Sequence, residues 1–269
     1  MKRARDMLAG FEANLTSYDM FAATVAAMIF CHFFHTFEPP EPGTLYWWSQ
    51  VPAVVFLPVF LFSVGYNTGR NIGRGILGGT AVVLFARWFF FHGHFSFFPM
   101  TVLVTIIVSR LIVDRMMGFV LRSRAHFLLV NLALIAVIPP THSYFSEYGT
   151  MGIILAMAGW LVRHEPQVPK SVVDVKEYMM LSFLLYLILM ESTIFLPLSQ
   201  FLAAAAGTAY VFRLLYGMRG LILNALRRKP RDMVEKICAF MGHKSLELYI
   251  AQALVFQFFL YHVLAFPPS

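Results

Sequence analysis

All but one of the lysines and arginines in this chain lie before the first of nine apolar runs, or in or at the edges of alternate gaps between them. The runs cover roughly 18–37, 51–66, 75–91, 97–113, 126–139, 147–162, 177–196, 199–216 and 245–264. A helix needs about 20 mostly apolar residues to cross a bilayer, and fewer when it packs within a bundle. The sequence therefore predicts an all-α, polytopic membrane helix bundle with about nine transmembrane helices (ten possible).

The charge pattern sets the expected orientation. The amino-terminal end carries Lys2, Arg3 and Arg5, and the second gap carries Arg70 and Arg74. The fourth carries Arg110, Arg115, Arg122 and Arg124, and the sixth Arg163, Lys170 and Lys176. The eighth, 213–244, holds Arg213, Arg219, Arg227, Arg228, Lys229, Arg231, Lys236 and Lys244. That is 20 of the 21 basic residues, and the opposite loops hold none. By the positive-inside rule the amino terminus is expected in the cytoplasm and the carboxyl terminus outside. The same asymmetry explains the net charge of +7 without invoking a nucleic acid.

Only 13% of the residues are charged, against about a quarter in soluble domains, and no long polar segment is present. Residues 1–269 are thus expected to form a single transmembrane domain. The first 20 residues lack a signal-peptide cleavage pattern. Two cysteines, Cys31 and Cys238, suit neither a disulfide framework nor a cysteine-built zinc site.

The remaining basic residue, Arg87, lies inside the third run, in "GGTAVVLFARWFFFHGHF". A charge at mid-membrane costs about 2.5–3.5 kcal/mol, so such residues normally face the bundle interior. Arg87 is about four residues from the outer end, and snorkelling outward is the plain alternative. At ~1.5 Å per residue from the inner ends, His32, Arg87 and Glu191 reach a similar depth, roughly 18–21 Å. His35, His92, His94, His142 and Glu147 follow just above them.

A neutral histidine can take a proton from a hydroxyl or amine nucleophile and return it. In this set His32 is the deeper candidate base. Glu191 would hold its tautomer, and Arg87 would stabilise an oxyanion. His35 sits at the rim, before Glu38-Pro39-Pro40, and with His92 and His94 would contact the acceptor. The plain reading is a set of unrelated polar residues near an interface. No paired carboxylate or cysteine accompanies His32 and His35, so no metal is expected.

At the inner end, Gly65, Gly69 and Gly73 are spaced by four, a helix-packing pattern. Arg70 and Arg74 flank them and would suit the phosphates of a nucleotide-like cofactor. The eighth gap is basic and amphipathic, the character of a surface helix on anionic lipid.

Three stretches resemble the acyltransferase-3 superfamily, and within it the TraX-like membrane acetyltransferases: "SYDMFAATVAAMIFCHFF", "FLPVFLFSVGYNTGR" and "FMGHKSLELYIAQALVF". The resemblance spans most of the chain through short motifs. It implies acyl-CoA, with acetyl-CoA the expected donor, delivered from the cytoplasm, with Asn67, Arg70 and Arg74 on the cofactor side. It also implies an acceptor on the outer side of a bacterial inner membrane: a glycan, a lipid head group or a protein amino terminus. Three features depart from the family pattern. Phe21 stands where a basic residue is usual, the paired arginines expected around the third span reduce to Arg87, and Gln252 stands where a histidine is common.

Two other functions fit the same residues. One is a non-catalytic subunit or assembly factor of a larger membrane complex. The other is an electron-transfer subunit in which His32 or His35 pairs with His92 or His94 around a haem beside a quinol.

Overall fold

The computed structural model describes residues 15–37, 45–67, 74–90, 102–145, 148–227 and 232–259. The expectations placed on Arg70, His92, His94 and Glu147 lie outside the described residues, as do the side chains of His35, Arg74 and Arg87. Among the described residues there is no strand.

Each of the nine apolar runs coincides with a helix. These are α1 (Ser17–Phe37), α2 (Leu45–Tyr66), α3 (Arg74–Phe90), α4 (Val102–Val120), α5 (Arg124–Ala136), α6 (Gly149–His164), α7 (Val175–Ile194), α8 (Leu198–Tyr216) and, last in the chain, α11 (Ser245–Phe259). The basic eighth gap folds into two further helices, α9 (Met218–Arg227) and α10 (Met233–His243).

By length and composition, α1, α2, α7 and α8 can each cross a membrane. The helix α5 and the segment Ile138–Phe145 form a pair bent by 45°, which makes a fifth if the two count as one broken span. The break falls at Val137, just before Pro139-Pro140, two consecutive residues that lack an N–H and whose rings crowd the preceding turn. The run expected to continue to residue 139 therefore ends as a straight helix at Ala136. Helices α3 and α6 are shorter, at 17 and 16 residues. Helix α4 runs to Val120 rather than 113 and takes Arg110, Asp114 and Arg115 onto its surface. There the Asp114 carboxylate accepts the Trp160 indole N–H at 2.8 Å.

Helix α6 is the central element. Met151, Ile154, Leu155, Met157 and Leu161 are fully buried, on all sides of it, the pattern of a helix surrounded by others. It packs on α2, which also touches α1, α4 and α8. Small residues let α2 and α6 approach closely. A Cβ on Gly65 would run into the Ala156 carbonyl oxygen, and one on Gly159 into that of Phe62. Gly65 thus serves the packing its spacing suggests; Gly69 and Gly73 lie outside the described residues. At the end of α2, the Arg163 guanidinium donates to the Tyr66 carbonyl at 2.9 Å, supplying a partner to a terminal group.

Helix α2 begins at Leu45, six residues before the predicted start, and contains Pro52 and Pro58. Pro58 cannot donate to the carbonyl of Val54, four residues back. The buried Tyr186 hydroxyl donates to that carbonyl instead, at 2.7 Å, and ties α7 to α2.

Helix α10 packs on α1. Gly242 lies so close to α1 that a Cβ would be 2.5 Å from the Tyr18 carbonyl, while Asn224 of α9 donates to the Leu15 carbonyl at 3.1 Å. Met233, Val234, Ile237 and Phe240 remain exposed on α10.

Candidate functional site

His32 lies near the carboxyl-terminal end of α1, on the wall of a cavity of about 290 Å3. Cys31 and His32 come from α1, Gln50 from α2, Tyr148 from the turn before α6, Met190 and Ile194 from α7, and Tyr249 from α11. With Val102 of α4, six elements thus line one cavity.

One partner of that imidazole is an amide. Gln252 Nε2 lies 3.3 Å from His32 Nδ1. With the amide N–H donating, Nδ1 is the acceptor and the ring proton sits on Nε2. With the amide turned over, Nδ1–H donates to the Gln252 oxygen and Nε2 carries the lone pair. The second arrangement is the one a general base requires, because the partner of one ring nitrogen fixes the tautomer at the other. Phe256, one turn further along α11, sets its ring 5.7 Å from the imidazole centroid, tilted by 54°. Gln252 is buried within an apolar helix, a placement that is costly unless the amide finds partners.

A second amide lies on the cavity wall. The Cys31 thiol donates to Gln50 Oε1 at 3.4 Å. Gln50 Nε2 is buried and has no partner among the described residues. A buried donor left alone costs about 1–3 kcal/mol, and a ligand oxygen in the cavity would satisfy it.

The turn at Tyr148 closes one side. Tyr148 has φ 68° and Gly149 φ 43°, and left-handed backbone is uncommon for a bulky residue. The turn is held from outside by hydrogen bonds. Tyr148 N–H donates to His142 Nδ1 at 3.1 Å, Thr150 N–H to Thr141 Oγ1 at 3.0 Å, and Thr150 Oγ1 to the Leu134 carbonyl at 2.8 Å. His142, counted among the outer histidines, therefore holds this turn.

Glu191 is not among the residues lining the cavity. Met190 and Ile194, four residues apart on one face of α7, are, and Glu191 is turned about 100° from Met190. Its Oε2 is buried and has no hydrogen-bond partner among the described residues. Asn67, assigned to the cofactor side, is half-buried just beyond α2, and its N–H donates to the Ser63 carbonyl at 2.9 Å. It lies 17 residues from Gln50, ~26 Å along the helix axis.

The structure thus gathers Cys31, Gln50, Tyr148, Tyr249 and Gln252 around His32. Their signal in the sequence was weak but physical: Gln252 lies inside an apolar run, where an amide needs a reason to be buried, and Gln50 lies at the edge of one. No protein-family model, curated protein or solved structure matches this chain.

Proposed function

We propose that this chain is an integral membrane acyltransferase of the acyltransferase-3, TraX-like kind. In this reading nine helices cross a bacterial inner membrane, with the amino terminus in the cytoplasm. The enzyme moves an acyl group, acetyl by preference, from cytoplasmic acyl-CoA to an acceptor on the outer side. The observation that carries the reading is the His32 imidazole on a cavity wall with its Nδ1 held by Gln252.

The chemistry follows from that pair. His32 Nε2 takes the proton of the acceptor hydroxyl or amine as its oxygen or nitrogen attacks the thioester carbonyl. The carbonyl π-electrons move to oxygen, and the Gln50 amide N–H, buried without a partner among the described residues, is assigned to donate to it. Collapse of the intermediate breaks the carbon–sulfur bond. The CoA thiolate leaves and takes up a proton, and the imidazolium returns its own to the medium. Arg87 is the second group assigned to the developing charge. Asn67, Arg70 and Arg74 are assigned to the CoA side. The ~26 Å between Asn67 and Gln50 along α2 supports a two-sided enzyme, with cofactor phosphates at one end and acceptor at the other.

The test is acetyl-CoA consumption by the purified protein in proteoliposomes, with CoA-induced thermal stabilisation measured in parallel. Turnover above empty vesicles, together with stabilisation by CoA, is expected. Absence of both, with a stable partner retained on purification, would replace this reading with that of a non-catalytic membrane subunit.

A further inference from the structure

A second cavity, of about 550 Å3, lies between the amino-terminal ends of α5 and α7, within the size range of small-molecule sites. Both helices pack against α6. Its floor is apolar and closed: Phe127 and Tyr178 are buried, their rings 5.3 Å apart at 69°, and the Tyr178 hydroxyl donates to Asn131 Oδ1 at 2.9 Å. Its rim carries four exposed charges, Arg124, Lys170, Asp174 and Glu177. Among the described residues, none of the four pairs with another within 4 Å. Asp174 spends Oδ1 on the first turn of α7, accepting from Lys176 N–H at 2.8 Å and Glu177 N–H at 3.1 Å.

The walls of the groove are Leu128 and Leu181, 51% and 39% exposed. Beyond them, Leu132 on α5 and Ile188 on α7 continue as exposed apolar residues. A mouth of two cations and two carboxylates therefore leads onto an open apolar lane, along a helix long and apolar enough to cross a membrane.

We propose that this groove binds one phospholipid with a phosphoethanolamine head group. Its phosphate meets Arg124 and Lys170, its ammonium meets Glu177 and the remaining oxygen of Asp174, and an acyl chain lies along Leu128 and Leu181. Mixed charge at the rim selects a zwitterion over an anionic head group. An ammonium with N–H donors can hydrogen-bond the carboxylates, whereas a trimethylated one cannot. The site does not depend on the acyltransferase reading.

Native mass spectrometry of the detergent-purified full chain tests it, with phosphatidylethanolamine, phosphatidylglycerol and phosphatidylcholine added in turn. One phosphatidylethanolamine should bind in preference to either competitor. Arg124→Gln and Lys170→Gln should each weaken it about five-fold, as expected for one cation at a lipid surface. Glu177→Gln should erase the preference over phosphatidylcholine while the protein keeps its melting temperature. Glycerophosphoethanolamine, which lacks acyl chains, should bind far more weakly. Equal binding of all three lipids, no effect of these substitutions, or full affinity for the chainless head group would each overturn the proposal.

Discussion

Tyr186 donates its hydroxyl to the Val54 carbonyl at 2.7 Å, and that carbonyl is the one Pro58 leaves without its helical donor. A proline within an apolar helix thus acquires a reason in a tyrosine from a helix far along the chain. Tyr186→Phe should leave a buried carbonyl unpaired and destabilise the fold by about 1–3 kcal/mol. Pro58→Ala restores an N–H to the same carbonyl, so the double variant should recover part of that loss. Thermal unfolding in detergent checks both. A double variant less stable than Tyr186→Phe alone would contradict the compensation.

The crossing of α2 and α6 should tolerate no added methyl group. Gly65→Ala would drive a Cβ into the backbone of Ala156, and overpacking of this kind costs about 1–3 kcal/mol, occasionally more. Gly78 on α3 is the control, since a Cβ there meets nothing within 4 Å. Gly78→Ala should be neutral or stabilising by up to about 1 kcal/mol. Melting temperatures of the two variants should move in opposite directions or differ widely.

Cys238 on α10 should alkylate slowly. Burial raises its thiol above the ordinary range, and Asp19, Asp232 and Glu235 push in the same direction. A raised pKa means less thiolate at a given pH, so the iodoacetamide rate profile should shift to higher pH than that of a free thiol. Peptide mapping separates Cys238 from Cys31. Asp19→Asn should move the profile partway back, because Asp19 belongs to the α1 end on which α10 is docked. A profile unchanged by that substitution would argue against the docking.

The helices were legible because apolar runs and basic gaps carry the signal at high contrast. Their ends were not. The start at Leu45 is hidden by "LYWWSQ", whose mixed polarity reads as an interface, and the break at Val137, before Pro139-Pro140, became visible as a 45° bend only with the fold in hand. For the site, helix rise gives a level along each helix but no azimuth. Counting residues placed Glu191 level with His32, yet only the fold tells that Met190 and Ile194 line the cavity. The amide partner of His32 lies 220 residues away. Gln252 read in the sequence as the loss of a histidine, whereas in the fold it is the group that touches the imidazole.

Gln252 acts through His32, so its substitution should separate rate from binding. Gln252→Leu should lower the rate of acyl transfer while leaving CoA-induced stabilisation unchanged. Gln252→Glu, which keeps an acceptor for Nδ1–H, should retain more activity than Gln252→Leu. Equal loss in both variants would remove Gln252 from the positioning role.

The most direct measurement is the rate of acetyl transfer from acetyl-CoA by His32→Ala in proteoliposomes, beside the wild type and His35→Ala. Loss of a general base typically costs ~100- to 10,000-fold. The His32→Ala rate should fall by that much with CoA-induced stabilisation intact, while His35→Ala keeps measurable turnover. Full activity in His32→Ala would contradict the account.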